Sequence, residues 1–465
     1  MTDDQGYGDL ACHGNPHLRT PQLDRLRQES TALDRFFVSP TCAPTRAALL
    51  TGRHEFLGGI SHTVAGRSLL RPGLPTLAEI FRRAGYDTGI FGKWHLGDAY
   101  PCRPEDRGFN EVFVHGGGGI GQIPDAWGNR YHSPKIRRKD GWAETRGYCT
   151  DVFFDEAIRW MRRERETPYL MWLATNAPHA PYDPPKGSAE HFLNQGLERK
   201  LAGFYAMIEN IDHNLGRLLE AVDATGKPTI VVFLTDNGSA IGAWNAGMKG
   251  IKGSVDEGGV RVPCFIRWPG QITAGRVVSQ IAGAGDLLPS LAGLCDVRLP
   301  DDWVGDGVDL SAALRGQREF PRGRCFFTHR GRWPGDQSPE RFRSRDFSVR
   351  DDRWRLVGLE LFDLQADPAQ VDNVFDANPE VVQRLLGAYS RWWTRVAPVV
   401  RQPVRYEIGG AGPKRLHLSA HDWWPSTEDP EARSVLAQQS FVEDYLERLQ
   451  QADEARGLRP AAGQW

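Results

Sequence analysis

The sequence predicts an α/β fold, with a mostly parallel central sheet sandwiched by helices and a smaller C-terminal α+β subdomain containing an antiparallel sheet. Two observations carry this. Helical and strand-like segments alternate through residues 1–310, and from about Pro321 the pattern changes to short strands at hairpin spacing.

Taken in order, Thr76–Ala84 (TLAEIFRRA) reads as an amphipathic helix stopped by Gly85, and Thr88–Phe91 as a short strand. Asp151–Glu166 reads as a second helix, followed by the apolar run Tyr169–Ala174. Leu201–Val222 is a third helix, with Leu215, Leu218 and Leu219 near helical spacing, and the buried strand Ile230–Leu234 follows it. Helix then strand, repeated, argues for parallel strands covered on both faces. Beyond Pro321, strands are expected at Cys325–Thr328, Phe347–Val349, Trp354–Val357 and Leu361–Phe362, then a helix at Pro379–Val396 and a last one near Gln439–Ala452. The expected divisions are 1–310, 311–400 and a C-terminal extension, 401–465.

The bulk numbers exclude some functions. With 57 basic and 59 acidic side chains in 465 residues, the net charge of −2 gives no field to recruit nucleic acid or an anionic membrane. An anionic substrate must be held by a local cluster. Apolar runs such as Thr229–Thr235 fall short of the ~20 residues that span a bilayer. The opening MTDDQGYGDL has neither the basic nor the apolar region of an export signal. The 7 cysteines (Cys12, Cys42, Cys102, Cys149, Cys264, Cys295 and Cys325) fit neither a disulfide framework nor a zinc knuckle.

Three segments fall where strands should end, the edge at which open α/β sheets bind ligands. Asp3-Asp4 is either a solvated turn or a pair of carboxylates sharing a cation. Thr235-Asp236-Asn237-Gly238 is either an Asx turn closed by glycine or a carboxylate and amide oxygen presented as ligands. Together with Asp3 and Asp4 it makes an oxygen-only set, suited to Ca²⁺ or Mg²⁺. Cys42-Ala43-Pro44-Thr45-Arg46 places a cysteine at a helix start, with Pro44 in the first turn. Cys42 is there either a buried structural thiol or a nucleophile facing an anionic group.

C-x-P-x-R followed by a small-residue helix and T-G-R resembles the sulfatase signature. Asp-Asp near the start, Gly92-Lys93-Trp94-His95-Leu96-Gly97, Pro178-His179-Ala180-Pro181, Thr235–Gly238, and Lys252 followed by Glu257–Pro263 match too, in the family's order. Leu361–Asn373 (LFDLQADPAQVDN) resembles the family's C-terminal subdomain, so the likeness spans residues 2–375. It implies an alkaline phosphatase-like fold, with 1–310 as the catalytic domain, and an arylsulfatase-like hydrolase of sulfate monoesters. The implied substrate is a sulfated small molecule or carbohydrate. It also implies that Cys42 is converted to formylglycine by a sulfatase-maturating enzyme. Asp3, Asp4, Asp236 and Asn237 then bind the metal, Ca²⁺ ahead of Mg²⁺, with the modified Cys42 completing the shell. Arg46 and Lys93 hold the modified residue, His95 contacts its hydroxyls, and His179 and Lys252 face the sulfate and leaving group. The family's additional donor beyond G-K-W-H-L-G has no obvious counterpart. His115 and the glycine run Gly116–Gly119, which reads as flexible loop, occupy that region.

Two alternatives are carried forward: a phosphate or phosphonate monoester hydrolase on the same scaffold, and a sulfated-glycan-binding protein without turnover. Lys135–Lys139 (KIRRK) is either a solvated loop or a contact for a sulfated polymer. Trp127, Tyr131, Trp142 and Trp244 either stack on sugars or pack in the core. In sulfatases a strand runs directly into the Asp-Asp pair, whereas here only Met1 and Thr2 precede it. That strand is therefore expected to be missing and the natural start to lie upstream. The resemblance suggests a periplasmic or secreted location.

Overall fold

The computed structural model describes residues 1–122, 124–334, 337–402 and 404. The helix expected at Gln439–Ala452 lies outside them.

The site rests on a five-stranded sheet, ordered Gly141–Glu144, Lys135–Arg138, Glu111–His115, Asp87–Lys93, Tyr169–Ala174. Its three strands on one side are parallel, with Lys93 opposite His115 and Gly92 opposite Ala174. Asp87–Lys93 is buried except at its first residue. It runs two residues past the expected Phe91, and so delivers Lys93 to the strand end. The helix Leu77–Arg83 before it starts at Thr76, whose hydroxyl accepts from Glu79 N while Glu79 returns a bond to Thr76 N. The helices Cys149–Met161 and Arg199–Asp223 pack on each other; Phe153 and Ala157 of the first meet Met207 and Ile211 of the second in one core cluster.

A second sheet orders Val277–Val278, Thr31–Leu33, Cys264–Arg267 and Val231–Leu234. It is mixed, with Cys264–Arg267 antiparallel to both neighbours. Met1 and Thr2 bridge the two sheets. Thr175 N donates to Met1 O at 3.0 Å, Thr2 N to Leu234 O at 3.1 Å, and Asp236 N to Thr2 O at 3.1 Å. Away from this bridge, a cavity of about 1070 Å³ separates Tyr169–Leu173 from Thr229–Leu234. Val231 and Val232 line it and are only half-buried, so the strand read as buried is so only at Phe233 and Leu234.

The expected C-terminal antiparallel sheet is present, with its first strand one residue later than expected. Phe326–His329, Phe347–Arg350, Trp354–Val357 and Glu360–Asp363 form an antiparallel meander. The helix Pro379–Val400 covers it, burying Leu385, Tyr389, Trp392 and Trp393 against Phe347, Val349, Leu356 and Leu361. Phe56, from the first 310 residues, belongs to the same cluster, and Glu257 is paired with Arg350 in a buried contact. The subdomain is thus packed onto the domain that carries the site. Trp393 is 1% exposed and donates from Nε1 to Glu340 Oε2 at 2.8 Å. Trp393→Ala should cost about 3–5 kcal/mol, read as a lower urea midpoint with little change in slope.

Of the run Lys135–Lys139, Lys135–Arg138 forms a strand rather than a loop, and Lys139 lies in the turn that follows. Lys135 pairs with Glu144 at 2.8 Å, Arg138 with Glu156 at 2.8 Å, and Arg137 with Glu105. Three of its four cations face carboxylates and Lys139 is left exposed in the turn, which weakens the run as a contact for polyanions.

Candidate active site

Three chain segments converge at the sheet edge. Asp3 and Asp4 follow the bridging residues Met1 and Thr2, Asp236 and Asn237 follow Val231–Leu234, and Cys42 begins the helix Cys42–Thr51. That helix is buried along its whole length, so its small residues (Ala43, Ala47, Ala48) let it lie within the core. Pro44 sits in its first turn, as expected. One ligand atom each from Asp3, Cys42 and Asp236 lie within 4.8 Å of one another.

The charges around this group are paired. Lys93 Nζ donates to Asp3 Oδ2 at 2.6 Å. Arg46 Nη2 donates to Asp236 Oδ2 at 2.7 Å and its Nη1 to Lys93 O at 2.9 Å. Lys252 Nζ lies 2.6 Å from Asp4 Oδ1, and Asn237 Nδ2 donates to the same oxygen at 3.0 Å. Burial, and next the Asp236 charge, push the Asp3 carboxyl well up. Asp4 goes the other way: burial would raise it, but Lys252 and His179 together hold it low.

This group could hold a cation. Asp3 Oδ1 and Asn237 Oδ1 are buried and have no hydrogen-bond partner. Orphaned oxygens beside two crowded carboxylates fit a hard ion, which would satisfy the oxygens and relieve the repulsion. Asp4 differs from the expectation in one respect. Its carboxylate faces Lys252, with His179 Nε2 at 3.7 Å, and its backbone N donates to Asp236 Oδ1 at 3.1 Å.

Cys42 Sγ lies 3.3 Å from His95 Nδ1, and His95 Nε2 lies 2.8 Å from Thr63 O. Burial pushes the Cys42 thiol up, against the pull of Lys93 and Lys252. His179 Nδ1 donates to Ala180 O at 2.7 Å, which turns Nε2 toward Asp4. Burial lowers His179 to about 4, although Asp4 works in the opposite sense. The imidazole is therefore neutral before an anion binds. Lys252 is held charged by Asp4 despite its burial.

The glycine run Gly116–Gly119 lies in a loop, as read, but it also packs against the site. A Cβ on Gly118 would stand 3.0 Å from His95 Cε1, and one on Gly119 2.8 Å from His179 Nδ1 and Cε1. The loop backbone thus lies directly against both histidines, and His95 N donates to Gly116 O at 3.2 Å. A side chain at either glycine would push on one of the histidines. Sequence reasoning also missed Thr63, which no motif marks. His115 is fully buried, with neither ring nitrogen hydrogen-bonded. Of the four aromatics, Tyr131 is core and its hydroxyl lies 2.6 Å from His179 O, whereas Trp127 is 95% exposed.

The site gathers oxygen ligands for a hard cation, a buried cysteine and a ring of cations and imidazoles around one small cleft, on an α/β sheet edge. The chain belongs to the sulfatase family: the family profile described as Sulfatase matches residues 1–297, and that of N-sulphoglucosamine sulphohydrolase, C-terminal, matches residues 252–387. The chain is 33% identical to N-acetylgalactosamine-6-sulfatase of Mus musculus, over 68% of this chain and 66% of that protein. It is 31% identical to steryl-sulfatase of the same organism, over 69% and 65%. The chain therefore spans just under two thirds of the length of these relatives. Among solved structures, Ps i-CgsB superposes with a TM-score of 0.78 at 24% identity, covering 87% of this chain and 93% of that one. The phosphonate monoester hydrolase of Agrobacterium radiobacter superposes at 0.59 and 22%, covering 89% and 98%. Both superpositions cover most of each chain, so the α/β fold is shared with these structures. Among the described residues no helix is long and apolar enough to cross a membrane.

Proposed function

We propose that this chain hydrolyses sulfate monoesters, of a carbohydrate before other substrates, with Cys42 matured to formylglycine by a sulfatase-maturating enzyme. The observation that carries the reading is the convergence of Asp3, Cys42 and Asp236 within 4.8 Å, ringed by Lys93, Arg46, His95, His179 and Lys252. N-acetylgalactosamine-6-sulfatase and a structural neighbour in complex with D-glucosamine-2-N,6-O-disulfate support the carbohydrate class.

Asp3, Asp236 and Asn237 would hold the cation, with Asp4 beside them; Ca²⁺ suits these oxygens better than Mg²⁺. The ion, when bound, supplies positive charge that makes a hydroxyl easier to ionise and a sulfate oxygen easier to hold. The chain's own residues do the rest. Lys93 and Lys252 neutralise the ester's oxygens. A hydroxyl of the hydrated residue 42 gives its proton to Asp236, whose carboxylate lies within 4.8 Å of residue 42, and attacks sulfur as the bond from sulfur to the alcohol oxygen breaks. His179 must carry a proton to release that alcohol, and an anionic ester in the cleft raises its proton affinity. The second hydroxyl of residue 42 then gives its proton to His95. Its carbon–oxygen double bond re-forms and sulfate leaves.

Lys252→Ala and His179→Ala should each lower turnover on the order of 10²–10³-fold. His179→Ala should cost least with nitrophenol, a leaving group that needs no proton. Equal losses across leaving groups would remove His179 from the acid role. Mass spectrometry of the Cys42 peptide from a native host tests the reading itself. Loss of sulfur and gain of an aldehyde supports it; an intact thiol sinks it. The likeness to a phosphonate monoester hydrolase keeps a second reading in play. Side-by-side rates on sulfate, phosphate and phosphonate esters of one phenol separate the two.

A further inference from the structure

Each lysine and arginine in the catalytic cleft has a carboxylate of its own: Lys93 has Asp3, Arg46 has Asp236 and Lys252 has Asp4. One more cation reaches the cleft from a different part of the chain. Arg332 follows the first strand of the C-terminal subdomain, and its guanidinium comes to the loop that holds His95. Its Nη2 donates to Thr63 Oγ1 at 3.3 Å, while Thr63 O lies 2.8 Å from His95 Nε2 and His95 Nδ1 lies 3.3 Å from Cys42 Sγ. Arg332 therefore stands one threonine and one imidazole away from the reacting residue.

Three features mark it as a binding group rather than a structural one. It pairs with no carboxylate among the described residues, and its Nε is buried without a partner. A guanidinium left this way is costly unless an oxyanion fills its fork. Its backbone is held in the left-handed region, at φ 57°, which a side chain adopts only when the surroundings enforce it. The enforcement is visible: Arg332 N donates to Ser61 O at 2.9 Å, and Gly331 N to His329 Nδ1 at 2.9 Å. The residue is half-buried and so still reachable. Burial lowers the guanidinium somewhat, and the charges of Cys42 and Asp4 act on it, which fits its place at the cleft.

We propose that Arg332 is a specificity residue that binds a second oxyanion, a sulfate or a carboxylate, on the same sugar chain whose scissile sulfate sits at Cys42. It would make the C-terminal subdomain a reader of the substrate, favouring multiply charged saccharides over isolated sulfate esters. The inference deepens the sulfatase reading and rests on it for the position of the scissile group.

The test measures binding by calorimetry in a Cys42→Ala background, so that no turnover is needed. The probes are a hexosamine 6-sulfate, its N,6-disulfated counterpart, and a 6-sulfated disaccharide carrying a uronate. The doubly anionic probes should bind at least tenfold tighter than the monosulfate. Arg332→Ala should shrink that preference to near unity, and Arg332→Lys, which keeps the charge but loses the fork, should leave part of it. Whichever doubly charged probe shows the preference identifies the oxyanion as sulfate or carboxylate. A preference that survives Arg332→Ala, or is absent before substitution, overturns the proposal. So does an equal loss for all three probes, which would place Arg332 on the scissile sulfate. Should the alanine variant not fold, the lysine variant answers alone: an unchanged preference with Lys overturns the fork. Failure of the unsubstituted protein to cleave any sulfate ester would sink the sulfatase reading, and leaves this binding result to stand or fall by itself.

Discussion

Cys42→Ala should fold normally and lose turnover on the order of 10⁵–10⁶-fold, the scale seen when a covalent nucleophile is removed. The fold survives because alanine is a good helix former and Cys42 is the first residue of Cys42–Thr51, where its sulfur is hydrogen-bonded to His95. Its side chain is 2% exposed, so deleting one sulfur leaves a small cavity and a loss of about 1–2 kcal/mol. Activity does not survive, since no other group in the cleft can take the nucleophile's place. Lys93, Arg46 and Lys252 are tied to carboxylates, and both histidines are held by carbonyls. Cys42→Ser should behave the same way unless the maturating enzyme accepts serine. Circular dichroism melts beside turnover of a nitrophenyl sulfate read both halves. Substantial turnover by the alanine variant would remove residue 42 from the chemistry.

Much of this site was legible because its residues sit in short, rigid contexts. Cys42 and Arg46 share one turn of helix, Asp236 and Asn237 end an apolar strand, and His179 lies between two prolines. The structure brings them together with Asp3, Lys93, His95 and Lys252 as expected. Secondary structure was legible where apolar period was strong, as in Leu77–Arg83 and Tyr169–Ala174. Other features left no local trace. Gly116–Gly119 carries no side chain, so its role as the surface against which His95 and His179 rest shows only in three dimensions. Arg332 reaches the cleft from a loop nearly 240 positions beyond His95, and nothing around it in sequence announces that. The basic run Lys135–Lys139 suggested solvent or polyanion because its partners, Glu105, Glu144 and Glu156, come from elsewhere in the chain. Asp4 shows the reverse limit. It was read as a ligand, but its pairing with Lys252 depends on how a left-handed backbone at φ 67° turns its carboxylate.

Asp236→Ala should be the most damaging change in the cation site, and Asn237→Ala a milder one. Asp236 is fully buried and does three jobs. It belongs to the group with Asp3 and Cys42, it accepts Asp4 N, and it pairs with Arg46. Removing it leaves the Arg46 charge buried without its partner, which costs about 3–5 kcal/mol where a charge cannot relax toward water. Stability and activity should therefore fall together, and added calcium should restore neither. Asn237 is neutral. Its loss removes one unpartnered oxygen and a hydrogen bond to Asp4, but leaves every ion pair standing. Activity should drop and return in part as calcium is raised, since a weakened site refills by mass action. Thermal melts with and without calcium measure this directly, because an ion that binds the folded chain raises the midpoint as the logarithm of its concentration. The unsubstituted protein should show that rise after prolonged dialysis against a chelator, Asn237→Ala a smaller rise at the same concentration, and Asp236→Ala none. If dialysis leaves both the melting temperature and the turnover of the unsubstituted protein unchanged, and calcium moves none of the three, then Asp3, Asp236 and Asn237 do not form a cation site. Their orphaned oxygens must then be met by water instead.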